Sequence, residues 1–130
     1  MVRVTAAVII RAGRVLIARR RPGARLGGKW EFPGGKIEPG ESPEACLQRE
    51  LREEFDIQAT IGEALGCHVH RYDFGTVALT AFRVDEFRGA LRLNDHQEVR
   101  WVAPASLADF DFTPADLPFV AMIQAGEVKP

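Results

Sequence analysis

The stretch EFPGGKIEPGESPEACLQRELREEFDI, Glu31 to Ile57, decides how this chain is read. A proline–glycine–glycine turn leads into a segment with every sign of a helix start. Ser42 suits the N-cap, Pro43 the first helical position, and Glu44 the positive end of the helix dipole. Leu47, Leu51 and Phe55 recur every four residues, which predicts a buried stripe on a helix running to about Phe55. Beside that stripe lie Glu50, Glu53 and Glu54, spaced i, i+3, i+4, which places them on one face within an arc of about 100°.

Carboxylates crowded on one face repel one another unless a positive charge sits among them. Taken alone, RELREE is an ordinary solvated face, with Arg49–Glu53 a plain i,i+4 ion pair. A hard divalent cation is the other answer. Mg²⁺ takes oxygen ligands and completes its shell with waters and substrate phosphates. The preceding PGG turn can bring a backbone carbonyl to the same ion, because glycine permits close approach.

Working outward, Val2 to Ile10 and Val15 to Arg20 read as a hairpin around the turn RAGR, followed by a basic, Gly-rich loop, RRPGARLGGK. KWEF reads as a short strand. GCHVHRYDF and TVALTAFRVDEF read as two antiparallel strands, and ALRL and EVRWVA as shorter ones. Thr113 is expected to cap a last helix from Pro114 to about Gln124, with Leu117, Val120 and Ala121 facing inward. Strands, a helix, more strands and a closing helix predict an α+β fold, a mixed sheet with helices on its faces.

The 130 residues suit one domain with a real core, and 46% apolar residues is the ordinary globular value. A net charge of −1 offers no field for duplex nucleic acid, so a nucleotide partner is expected to be small. Cys46 and Cys67 make no disulfide framework and are expected to be buried thiols in a reducing cytoplasm. No apolar run approaches a membrane span and no signal peptide is evident.

Gly35, Glu41, Arg49, Glu50, Glu53 and Glu54 fit the Nudix signature G-x5-E-x7-R-E-U-x-E-E-x-G-U, with Leu51 and Ile57 at its bulky aliphatic positions. Six such matches arise by chance on the order of once in 10⁷ alignments, at roughly one in fifteen per position. The chain therefore resembles the Nudix hydrolases, and EFPGGKIE, DHQEVRW and FTPADLPF extend the likeness to MutT-type nucleoside triphosphate pyrophosphohydrolases. The signature's last glycine is Asp56 here, at a helix end where a left-handed residue is common and where Asp is tolerated.

The resemblance implies an α/β/α sandwich, Mg²⁺ or Mn²⁺, and release of a nucleoside monophosphate and pyrophosphate from a triphosphate, as in sanitation of 8-oxo-dGTP. It implies metal ligation by the Gly34 carbonyl, Glu50, Glu53 and Glu54, with Glu53 as the base that activates water. Arg49 would orient a glutamate through a charge-assisted hydrogen bond, and Glu41 would support the loop and helix. Lys36 would contact phosphate or remain a surface lysine. Asp95 takes the place of a further metal-binding or base carboxylate, in preference to Glu98. Arg20, Phe32 and Asp116 fall where such enzymes contact the base. Asp116 stands for a usual asparagine: ionised, it favours an exocyclic amine, and protonated, it can also read an oxidised guanine. Arg25 replaces a histidine of the MutT pocket.

Cytidine-directed relatives share the PAD and acidic-His-Gln features, so CTP or dCTP is the alternative substrate; ADP-ribose hydrolysis and a non-catalytic binding module also stay open. The implied assembly is a monomer or homodimer. His68 and His70 share a strand face and, without a third histidine nearby, read as an ordinary face. His96 meets substrate or solvent.

Overall fold

The structure is a computed structural model and describes residues 1–129. Its centre is β1 (Val2–Arg11), which turns through Ala12 and Gly13, both at positive φ, into β2 (Arg14–Arg19). The short strands β3 (Trp30–Glu31) and β4 (Gly34–Lys36) precede helix α1 (Pro43–Phe55). Then come β5 (Gln58–Thr60), β6 (Ala64–Tyr72), β7 (Gly75–Val84), β8 (Glu86–Arg88) and β9 (Glu98–Val102). A 3-10 turn over Pro114–Asp116 leads into α2 (Leu117–Gln124).

The main sheet runs β3-β2-β1-β7-β6, with β9 against β2 and β4 against β1. It is mixed: β1 and β7 are parallel, and the other pairs are antiparallel. Side chains alternate across β1, as a strand requires. Ala6, Val8 and Ile10 join the core that holds Phe119, Val120 and Ile123 of α2. Ala7 and Ile9 join the core that holds Leu47, Leu51 and Phe55 of α1. This is the expected α/β/α sandwich. β1 also changes partner along its length: Ile10 pairs with Val15 of β2, whereas Val4–Ala6 pair with β4. The cavity described below opens beside the Val4–Ala6 part of the strand.

Helix α1 starts and stops as its sequence dictates. Ser42 Oγ accepts from the Ala45 N–H at 3.1 Å. Asp56 takes the left-handed conformation at φ 59°, its N–H donates to the Arg52 carbonyl, and the buried Ile57 donates to that of Leu51.

Several expectations are corrected. Ala90–Leu93 form no strand. Instead the segment caps α1: the N–H groups of Arg92 and Asn94 donate to the carbonyls of Phe55 and Glu54, and Asn94 Nδ2 donates to that of Glu53. The strand expected through Phe87 breaks at Asp85, and β8 pairs instead with β5, a strand the pattern did not reveal. The 3-10 turn at Pro114 shifts the phase of α2, so Leu117 is 49% exposed and Ala121 exposed, while Phe119, Val120 and Ile123 turn inward. Thr113 makes no cap hydrogen bond. Cys46 is buried, but Cys67 lies exposed on the edge strand β6. Among the described residues no helix is long and apolar enough to cross a membrane.

Candidate active site

One guanidinium clamps the turn before α1 to the helix. Arg49 Nε and Nη2 donate to the two Glu41 oxygens at 2.7 and 3.0 Å, and Nη2 also donates to the Lys36 carbonyl at 3.1 Å. Its Nη1 donates to Glu50 Oε1 at 2.9 Å and to Glu53 Oε2 at 3.3 Å. The hydrogen bonds from Arg49, then the one from the Glu38 N–H, hold Glu41 down at about 2. The same bond to Glu41 pushes the Arg49 pKa upward.

The three helix carboxylates part company. Glu50 and Glu54 turn into a cavity of about 390 Å³. Glu53 stays 59% exposed on Arg49, because the guanidinium draws it off the face where two other carboxylates already sit. Burial, then the neighbouring Glu50, pushes Glu54 up to about 9. Glu54 Oε2 is buried with no hydrogen-bond partner. The Gly35 backbone lies so close to Glu50 that a Cβ would run into its carboxyl group, and a Cβ on Gly34 would strike the Thr5 carbonyl.

These residues suit a hard divalent cation. The donors are all oxygen, and the buried, orphaned Glu54 carboxyl group beside Glu50 is relieved by positive charge. The full set is not preassembled: among the described residues, no group of three or more His, Cys, Asp or Glu stands at metal-binding spacing. Gly34, Lys36 and Asp95 line the same cavity. Asp95 is positioned by its carbonyl, which accepts from Arg21 Nε at 2.6 Å. Glu98 lies apart, paired with Arg19 and Arg100.

Phe32 and Asp116 line the same cavity. Asp116 is 4% exposed. Its Oδ2 accepts from Thr113 Oγ1 at 2.7 Å and from the Phe32 N–H at 3.4 Å. Burial, then the charge of Glu31, raises it to about 7. Phe32 is buried against Phe112, with ring centroids 5.4 Å apart, and still borders the cavity. Arg20 donates from Nη1 to Glu31 Oε1 at 3.0 Å and from Nε to the Arg25 carbonyl at 2.7 Å. Arg25 lies over the Phe74 ring, 4.1 Å from its centroid, and Phe74 stacks on Tyr72 at 4.7 Å.

Sequence reasoning missed Glu31. It lies between Arg20 and His96 Nε2, which is 2.8 Å from its Oε2. The signal was its place beside Phe32 on a two-residue strand, too short for alternation to be read. Tyr72 and Phe74 were missed as cavity-lining residues for want of any local pattern. His96 is buried, at 7% exposure, which excludes the solvent reading. His68 and His70 pack edge-on to Phe119 and Tyr72.

A family model described as the NUDIX domain matches residues 1–123. The CTP pyrophosphohydrolase of Escherichia coli K12 is 39% identical over 125 residues, covering 96% of this chain and 93% of that protein. The 8-oxo-dGTP diphosphatase of the same organism is 32% identical over 110 residues, covering 85% of each. The solution structure of the E. coli ORF135 protein matches with TM-score 0.87 at 38% identity, covering 98% of this chain and 91% of that one. A MutT structure from work on Aliivibrio salmonicida and Vibrio cholerae matches with TM-score 0.81 at 32% identity, covering 95% and 97%. Nudix hydrolases generally use a divalent metal ion. With the family model spanning nearly the whole sequence and relatives of this identity over most of it, the chain belongs to the NUDIX family and is a hydrolase of phosphoric anhydride bonds.

Proposed function

We propose that this protein hydrolyses nucleoside or deoxynucleoside triphosphates to the monophosphate and pyrophosphate, with Mg²⁺ or Mn²⁺, in MutT-like sanitation of the nucleotide pool. The supporting observation is the lining of one cavity, shared by Glu50 and Glu54 of the acidic helix and by Phe32 and Asp116. That lining suits a phosphate chain at the acidic helix and a base beside Phe32 and Asp116.

In this reading the Gly34 carbonyl, Glu50, Glu53 and Glu54 would hold the ion, with Asp95 lining the same cavity. The ion, when bound, neutralises phosphate charge and acidifies water. Glu53 accepts the proton as water attacks the β-phosphorus. The bond from that phosphorus to the α–β bridging oxygen breaks, and the monophosphate leaves with the oxygen. Arg49 keeps Glu50 and Glu53 in register. Lys36 meets the departing charge.

For the base, 8-oxo-dGTP is the leading candidate, because burial raises the Asp116 pKa and favours the protonated carboxyl group, which offers a donor as well as an acceptor. A second reading rests on Glu31. With Asp116 it places two carboxyl groups at the base end, which suits the exocyclic amine of cytosine, and one relative is a CTP pyrophosphohydrolase. The test is a Mg²⁺-dependent pyrophosphate-release panel in ¹⁸O-water with 8-oxo-dGTP, dGTP, dCTP, CTP, dATP and ADP-ribose. The expected outcome is turnover of a triphosphate with label in pyrophosphate. No turnover of any triphosphate refutes the reading, and label in the monophosphate refutes attack at the β-phosphorus.

A further inference from the structure

His96 occupies a place that neither the metal end nor the base end explains by itself. It lies in the loop that caps α1, pinned by the Asn94 N–H on the Glu54 carbonyl and the Gln97 N–H on the Arg19 carbonyl. Its ring stacks on the fully buried Phe55, with centroids 5.1 Å apart and planes at 17°. One edge, Nε2, is 2.8 Å from Glu31 Oε2. The other, Nδ1, faces Glu54 Oε2 across 3.9 Å, and neither of these two buried atoms has a hydrogen-bond partner among the described residues. At that distance no hydrogen bond is formed. A turn of the Glu54 carboxyl by about 1 Å brings one into range.

We propose that His96 is a positioning residue that ties Glu31 at the base end to Glu54 at the metal end, fixing the face Glu54 presents to the cation. The inference rests on the metal-site reading above. A carboxylate whose inner oxygen is engaged has only its outer oxygen free, which pre-orients it for a cation arriving from the cavity. Histidine suits the position because its two nitrogens lie on opposite edges of a rigid ring, so it can address both carboxyl groups while its face stays packed on Phe55. Residues that orient metal ligands in this way typically contribute 10- to 100-fold in metal affinity.

The test is Mn²⁺ binding to the substrate-free protein, read from the loss of the free-ion signal by electron paramagnetic resonance. His96→Phe keeps a ring against Phe55 and removes both nitrogens. About tenfold weaker Mn²⁺ binding is expected, with partial recovery in His96→Gln, which retains a donor. Glu31→Gln is expected to weaken Mn²⁺ binding severalfold in the wild-type background and to have no further effect in His96→Phe, because the connection is already cut. Wild-type Mn²⁺ affinity in His96→Phe, or a full Glu31→Gln effect in that background, overturns the inference. Should His96→Phe melt below the assay temperature, wild-type Mn²⁺ affinity in both His96→Gln and Glu31→Gln overturns it equally. Glu54→Gln separates this from the parent reading: if it leaves Mn²⁺ binding intact, the metal-site assignment fails, whatever His96 does.

Discussion

The carboxyl group of Glu50 packs so tightly on the backbone of Gly35 that the two cannot both stay in place once Gly35 gains a Cβ. What yields is the end of a flexible side chain, so Gly35→Ala is expected to fold with little loss of melting temperature. Glu50, pushed aside, loses its place beside Glu54. A fall of at least ~10-fold in kcat/KM is expected, as for a misplaced catalytic group. Melting curves and steady-state kinetics on one preparation check both halves.

Glu53→Gln keeps size and removes the basic oxygen. Because Glu53 is 59% exposed, folding should be unaffected. Under the proposed mechanism kcat falls at least ~10²-fold, the scale of a positioned general base. Near-normal turnover of the folded variant would remove Glu53 from that role.

Glu41 gives an acid-side signature. Its pKa is lowered to about 2 in the folded chain against 4.5 for the free group. The folded state therefore binds fewer protons in that window, and the stability Glu41 contributes is present above about 4.5 and lost as pH falls through about 2. Glu41→Gln should flatten the decline in melting temperature across that acid window, and should lower melting at neutral pH by freeing Arg49. Parallel pH–melting curves for the two proteins would count against the clamp.

Asp116 runs the other way. Its pKa is raised from 3.8 to about 7, so its contribution to stability is complete below 3.8 and lost as pH rises through about 7. At about 1.4 kcal/mol per pH unit across that window, ~4 kcal/mol is the ceiling. Asp116→Asn should be as stable as wild type near pH 4 and more stable at pH 8, measured by denaturant unfolding. The same substitution reads specificity. If Asp116 acts as an ionised acceptor, dCTP or dATP loses ten- to a hundredfold in kcat/KM, about 1.5–3 kcal/mol. If it acts as a neutral acid towards 8-oxo-dGTP, the amide substitutes with little loss. Unchanged ratios across substrates and pH would leave Asp116 a purely structural role.

Helix α1 was legible in the sequence because everything that makes it is local. Ser42, Pro43 and the left-handed Asp56 bound it, the Leu47–Leu51–Phe55 stripe buries one side, and the i, i+3, i+4 glutamates share a face by helical geometry alone. The continuous apolar run of β1 and the hairpin to β2 were local too. The sandwich followed, since amphipathic helices flanking a sheet have few other ways to bury their stripes.

What the tertiary structure alone decided concerns residues whose partners are far along the chain. Glu31 and His96 are 65 positions apart and meet at 2.8 Å, so no spacing rule could pair them. Whether Glu53 faces its fellow carboxylates or leans on Arg49 depends on competition among charges that a helical wheel treats as equal. The protonation of Asp116 was open because an aspartate three residues into a helix-start pattern is usually solvated. Here α2 packs against the sheet and carries Asp116 into the core beside Glu31, and the loss of water raises its pKa. Periodicity reports which side of an element is apolar; it carries no record of the distant charge or missing water that sets what a polar side chain on that element can do.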